Sequence, residues 1–291
     1  MAEPDRDDYS GQATTGHEWD GIKELDNPLP RWWLMVFYAC IVWAVGYWVL
    51  YPSWPLVSDY AKGTLGYSSR GEVAADIQAA TDAKKVFADQ IHKADMATIQ
   101  SNPKLLEFAL AGGKSAFGDN CSGCHGTAAQ GGKGYPNLSD DDWLWGGSLE
   151  AIQQSIQFGI RSGHDETRDS EMPAFGKDEL LEPEQIAQVA EFVLSLSGKE
   201  SDAAQAAKGA PIYAENCVDC HGKKGLGNRD FGAPNLADAI WLFGSDVASV
   251  RTIITNSRKG VMPHWDGRLP ADTIKQLAIY IHALGGGEQA E

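Results

Sequence analysis

The sequence predicts an all-α protein in which one N-terminal transmembrane helix precedes two tandem copies of a small helical domain. Three observations carry this. The stretch from Trp32 to Ser58 contains no Asp, Glu, Lys, Arg or His. The C-terminal part of the chain repeats its own motifs in the same order. Apolar residues elsewhere recur at helical spacing, with no alternating strand pattern of any length.

The charge-free stretch has its core between Trp32 and Tyr51, with Leu34, Met35, Val36, Phe37, Ile41, Val42, Val45, Val49 and Leu50. A helix needs about 20 such residues to cross the hydrocarbon core of a bilayer. Trp32, Trp33, Trp48, Tyr51 and Trp54 gather at its two ends, where interfacial aromatics sit. A transmembrane helix over 32–52 is expected, after a polar segment over 1–31. The span does not read as a cleaved signal peptide, because acidic residues precede it and a basic n-region is lacking. Lys23 and Arg31 before it, against Lys62 and Arg70 after it, leave the orientation undecided by charge.

Residues 53–104 read as a connector. Val73, Ile77, Ala80, Phe87 and Ile91 recur at near-helical spacing, so part of it is an amphipathic helix, facing either the downstream domains or a partner. Then comes the duplication. Gly113-Lys-Ser-Ala-Phe117 precedes Cys121 as Gly209-Ala-Pro-Ile-Tyr213 precedes Cys217. Pro136-Asn137-Leu138 matches Pro234-Asn235-Leu236, and Trp143-Leu144-Trp145-Gly146 matches Trp241-Leu242-Phe243-Gly244. Met172-Pro173 matches Met262-Pro263. Each copy closes with a helix, one from near Pro183 with Ile186, Val189, Val193 and Leu196, the other from near Pro270 with Ile274, Leu277, Ile281 and Leu284. The copies are expected over 105–198 and 204–287, divided by a polar linker. Copies this small lack a sufficient core of their own, and a bound macrocycle supplies the missing apolar surface.

The chemistry lies in Cys121-x-x-Cys124-His125 and Cys217-x-x-Cys220-His221, the attachment signature of c-type haem. Two thiols bond the porphyrin and the adjacent histidine binds iron from the proximal side. A zinc site would need both pairs in one place, and a redox dithiol would not need the histidine twice. Four of the five cysteines are thereby used; Cys40, inside the apolar run, reads as a small hydrophobe. Met172 and Met262, two of only five methionines, stand at equivalent places and are the expected sixth ligands. Spacing leaves open whether each serves its own copy's haem or the neighbour's. His164 and His264 have no counterparts in the other copy and are read as surface or pocket residues. A carbonyl near Pro136 and near Pro234 is expected to accept the histidine Nδ1 proton. Two class I cytochrome c domains with covalently attached haem c follow. With both axial positions filled the chemistry is outer-sphere electron transfer, which argues against a dihaem peroxidase. Bacteria attach haem c outside the cytoplasm, so the copies are expected in the periplasm and the N-terminus in the cytoplasm.

A net charge of −16 excludes nucleic acid as a partner and suits either a basic soluble donor or plain solubility.

The N-terminal part adds a resemblance. Thr15-Gly16-His17-Glu18-Trp19-Asp20-Gly21-Ile22-Lys23-Glu24-Leu25-Asp26-Asn27-Pro28-Leu29-Pro30-Arg31-Trp32-Trp33, with Tyr51-Pro52-Ser53-Trp54-Pro55 and Gly66-Tyr67-Ser68-Ser69-Arg70, has no explanation in haem binding. These stretches resemble the hallmarks of subunit III of cbb3-type cytochrome c oxidase, the dihaem subunit called CcoP or FixP. The resemblance runs from residue 14 to the end. It implies an inner-membrane electron-transfer subunit that takes electrons from the cytochrome bc1 complex or a soluble cytochrome c. It implies partners: a catalytic subunit with haem b, haem b3 and copper, and a mono-haem cytochrome c subunit. Oxygen reduction and proton pumping then belong to the complex, and the chain has no catalytic site of its own. It implies haem attachment at Cys121, Cys124, Cys217 and Cys220, and iron ligation by His125, His221, Met172 and Met262. The segment from His17 to Arg31 is expected to contact the catalytic subunit or an assembly partner. The competing reading is a membrane-anchored dihaem carrier serving a different periplasmic redox enzyme.

Overall fold

In the computed structural model, which describes residues 5–288, the chain is mostly helical. It departs from an all-helical reading at one place. Strands β1 (Thr14–Trp19) and β2 (Ile22–Leu25) pair antiparallel, with Trp19 opposite Ile22 and Glu18 opposite Lys23. Asp20 (φ 48°) and Gly21 (φ 84°) form the left-handed two-residue turn that matches strand twist. The Asp-Gly pair was the available signal. Apart from Trp19 and Ile22 beside the turn and Leu25 at the end of β2, the strand residues are polar or glycine, so the alternation that normally announces a strand is missing. Polar side chains hold the hairpin instead: Lys23 pairs with Asp5 at 2.8 Å and Thr15 donates to Glu24 at 3.1 Å. Residues 1–4 of the expected N-terminal segment lie outside the described residues.

Helix α1 (Arg31–Leu50) follows Pro30 and is long and apolar enough to cross a membrane, with none of its residues buried in the chain. A helix ends with four carbonyls lacking partners inside it, and here each finds one. Tyr51 N–H donates to Tyr47, Ser53 Oγ to Trp48, Thr64 N–H to Val49 and Leu65 N–H to Leu50, at 2.8 to 3.1 Å. The return of residues 63–65 to the helix end needs Gly63. Its φ is 72°, and a Cβ there would overlap the Leu50 carbonyl. Stacked Tyr47 and Tyr51 and the edge-to-face pair of Trp48 and Trp54 surround the same end.

Helix α2 (Ser69–Lys93) realises the amphipathic part of the connector. The chain forms two compact units that divide between Lys84 and Lys85, within α2. The expected apolar stripe splits accordingly: Val73 and Ile77 are exposed, whereas Ile91 is buried and Phe87 stacks on Phe108.

The second unit continues with α3 (Met96–Ser101), α4 (Pro103–Asn120), α5 (Ser122–His125), α6 (Leu149–Phe158) and α7 (Pro183–Leu196). It ends with α8 (Ala203–Asn216), α9 (Val218–His221), α10 (Val247–Asn256) and α11 (Ala271–His282). Sequence equivalence relates α4 to α8, α5 to α9, α6 to α10 and α7 to α11. Local chemistry sets the boundaries: Asn102 caps α4 ahead of Pro103, and Glu182 with Gln185 closes a reciprocal cap ahead of Pro183 in α7.

Packing does not follow chain order. One core joins Leu105, Ala109 and Phe117 of α4, Ile152 and Ile156 of α6, and Ile274, Leu277 and Ile281 of α11. The other joins Val189, Val193 and Leu194 of α7, Tyr213 of α8 and Val250 of α10. The closing helices are thus exchanged between the copies. Gly113 of α4 meets the Gln276 carbonyl of α11, and Gly209 of α8 meets the Gln188 carbonyl of α7, so close that a Cβ at either glycine would overlap backbone. Phe117 against Tyr280 and Tyr213 against Phe192 repeat the crossing in aromatic contacts at 5.6 and 5.1 Å.

Lys275 of α11 ties the first core to α2. Its Nζ donates to the Ile91 carbonyl at 2.9 Å and the Ala94 carbonyl at 2.8 Å, capping the helix end. In Lys275→Met, which keeps the aliphatic stem, amide exchange across residues 88–94 should quicken roughly tenfold. Unchanged exchange would show that Phe87 and Ile91 alone hold α2.

Candidate functional site

Each Cys-x-x-Cys-His motif occupies the same local structure. Cys121 ends α4 and Ser122–His125 forms the single turn of α5; Cys217 ends α8 and Val218–His221 forms α9. Cys124 and Cys220 are exposed, and Cys121 and Cys217 are half-buried. Burial pushes the Cys121 and Cys217 thiols up to about 11, with the neighbouring cysteine adding to the rise. A redox dithiol needs the opposite shift.

The histidines are oriented alike. His125 Nδ1 lies 3.0 Å from the Pro136 carbonyl and His221 Nδ1 lies 3.1 Å from the Pro234 carbonyl. A carbonyl only accepts, so each ring carries its proton on Nδ1 and leaves Nε2 bare for a metal. Burial lowers both pKa values despite the carbonyl contact, which keeps the rings neutral. Gly131 N–H to His125 O and Gly227 N–H to His221 O fold each proline loop back under its motif, at 2.7 and 2.9 Å.

The methionines stand with the exchanged helices. Met262 packs against the same core as Cys121, and its backbone exchanges two hydrogen bonds of 3.0 Å with Ile160, just past α6. Beyond Met172, the N–H groups of Gly176 and Lys177 donate to Thr255 at the end of α10. Each methionine loop is therefore anchored on the other copy's penultimate helix. Arg161 binds both loops at once, donating to the Gly260 and Ser170 carbonyls at 2.8 Å each, and Lys259 pairs with Glu171. His164 and His264, unrelated in the sequence, come together with ring centroids 5.4 Å apart, and Asp266 lies 4.0 Å from His164.

Among the described residues three buried donors, Trp241 Nε1, Arg168 Nε and Ser257 Oγ, have no hydrogen-bond partner. Buried donors of this kind suit the carboxylates of an anionic group, and the haem propionates are such groups. The neutral, oriented histidines and these donors together fit a haem. At the first copy the matching Trp143 Nε1 donates to the Gly286 carbonyl.

The loops after the two prolines are acidic. Burial pushes the Asp142 carboxyl up to about 6, and repulsion from Asp238, Asp140 and Asp141 adds to it. An acid with a raised folded pKa loses folding stability as pH rises from its unfolded value through its folded one. Asp142→Asn should therefore raise the melting temperature at pH 7.5, by the equivalent of about 1 kcal/mol after discounting for solvent screening, and leave it unchanged near pH 3.5. An equal effect at both pH values would point to packing instead of charge.

Comparisons with known proteins bear on the family of the chain. Residues 11–58 match a family model described as the N-terminal domain of cytochrome oxidase-cbb3, FixP. Residues 108–193 and 204–281 each match the model for cytochrome c oxidase, cbb3-type, subunit III. The chain is 55% identical over 286 residues to the cbb3-type cytochrome c oxidase subunit FixP of Bradyrhizobium sp. (strain ORS 278), covering 97% of this chain and 98% of that one. It is 52% identical over 276 residues to subunit CcoP of Cereibacter sphaeroides, covering 94% and 95%. With CcoP of Azospirillum brasilense the identity is 49% over 295 residues, covering 99% and 100%.

Proposed function

This chain belongs to the subunit III family of cbb3-type cytochrome c oxidases, and from that premise we propose that it carries electrons through two haem c groups toward an oxygen-reducing site on another subunit. It is a cytochrome c electron-transfer subunit of a membrane oxidase. The observation that carries the two-haem reading is the matched pair of histidines, each with Nδ1 tied to a proline carbonyl and Nε2 left bare.

In this reading Cys121 and Cys124 hold one haem and Cys217 and Cys220 the other. His125 and His221 would hold the iron, with Nε2 available once Nδ1 is tied to its proline carbonyl. Haem c, when attached, supplies a one-electron ferric/ferrous couple whose potential His/Met ligation raises. The proline carbonyls fix the ring planes. Met262 completes the site of His125 and Met172 that of His221, because each methionine loop is anchored on the other copy. The sequence copies 105–198 and 204–287 thus each contribute to both sites. The donor is the cytochrome bc1 complex or a soluble cytochrome c. The chain crosses the bacterial inner membrane once at 32–52, with residues 1–31 cytoplasmic and the connector 53–104 leading to periplasmic haem domains. Catalysis at haem b3 and copper belongs to the partner subunit, and a mono-haem cytochrome c subunit completes the complex. The hairpin presents exposed Trp19 and Ile22 near the membrane helix, and this supports contact with the catalytic subunit.

The reading is tested by pulling the chain from gently solubilised membranes and taking reduced-minus-oxidised spectra with metal analysis. Haem c with haem b and copper is the expected result, and less haem b should follow a chain lacking residues 1–30. Haem c alone would favour a carrier for a different enzyme. The methionine exchange has its own test. In a chain with Cys217→Ala and Cys220→Ala, Met262→Ala should abolish the methionine-to-iron charge-transfer band of the remaining haem, whereas Met172→Ala should preserve it. The reverse pattern would overturn the exchange.

A further inference from the structure

In the duplicated Trp-Leu-Trp-Gly and Trp-Leu-Phe-Gly motifs the third residues are not used by the sites described so far, and the structure gives them a reciprocal place. Trp145 of the first copy lies on Gly232, two residues before Pro234 of the second. A Cβ at Gly232, whose φ is 59°, would overlap the indole. Phe243 of the second copy lies on Gly134, two residues before Pro136 of the first, where a Cβ would come within 3.3 Å of the ring. Gly134 N–H also donates to the Leu242 carbonyl at 2.9 Å, beside Phe243. Each ring carries an arginine. Arg168 stands over Trp145 at 5.3 Å and Arg258 over Phe243 at 5.5 Å. Both arginines stand four residues before a methionine ligand candidate, Met172 and Met262.

We propose that Trp145 and Phe243 are reciprocal positioning residues: each sets the proximal loop, and through the proline carbonyl the histidine ring, of the other copy's haem site. The inference rests on the two-haem reading above. Trp145 presses the loop at Gly232; the loop presents the Pro234 carbonyl, and that carbonyl orients His221 Nδ1. Phe243 acts on His125 through Gly134 and Pro136 in the same way. With the methionines exchanged, Arg168, Trp145 and Gly232 join the distal and proximal loops of a single site. Arg258, Phe243 and Gly134 do so for the other. A change in one copy's aromatic is therefore read at the opposite haem. The partner of a metal-bound histidine sets its basicity, so the effect reaches the reduction potential.

The test uses the full-length haem-loaded chain, with haem c first counted in the unaltered protein. A count other than two per chain weighs against the haem reading, whereas the exchange measurement judges the coupling. In Trp145→Ala, amide exchange over residues 225–236 should quicken roughly tenfold while residues 127–138 stay protected. Phe243→Ala should show the mirror pattern. In a potentiometric titration each variant should shift one of the two haem c waves and leave the other. Trp145→Phe, the residue the second copy uses, should restore both readouts. Exchange that quickens in the variant's own copy or in neither loop, or two unmoved waves, would overturn the proposal.

Discussion

At Gly113 the backbone of α4 approaches the Gln276 carbonyl of α11, and at Gly209 that of α8 approaches the Gln188 carbonyl of α7. Only a residue without Cβ allows helices this close, and the rest of the haem-binding half depends on these two crossings. They select which closing helix packs on which motif-bearing helix. Because α7 and α11 each follow a methionine loop directly, choosing the helix brings that loop with it. The exchange makes the two copies mutually dependent: neither core is complete without a helix from the other. A copy too small to build its own core is in this way stabilised by its twin as well as by a cofactor.

The same interleaving organises the electrostatics and the polar contacts. Arg161 binds both methionine loops where they pass, and the acidic loops after Pro136 and Pro234 come near enough for Asp238 to raise the pKa of Asp142. Aromatic rings cross in both directions between the copies. Such an interleaved unit is poorly suited to moving as two independent beads.

At the membrane end a different constraint operates. Hydrocarbon cannot satisfy the last carbonyls of a helix, so the chain after α1 turns back and supplies the donors itself. Gly63 and the residues around it, which belong to no haem motif, have a physical role in that turn. The hairpin before α1 lacks apolar alternation and is held by ion pairs and a tight turn, which is why hydrophobic periodicity did not reveal it.

The sequence by itself determined the charge-free span, the two attachment motifs, the proline loops and the closing helices, because each depends on residues near one another in the chain. Covalent attachment requires Cys-x-x-Cys-His in one turn, and a carbonyl a few residues on is the natural acceptor for the histidine proton. Even the candidate ligands Met172 and Met262 were legible from the duplication. The partner of each closing helix was not. Two equivalent copies present equivalent faces, so local propensity and spacing favour self-packing and exchange equally. The choice falls to side-chain fit between elements distant in sequence: Gly113 against Gln276, Gly209 against Gln188, Trp145 on Gly232 and Phe243 on Gly134. Only the tertiary structure holds that information, because it resides in which surfaces meet and not in any one of them.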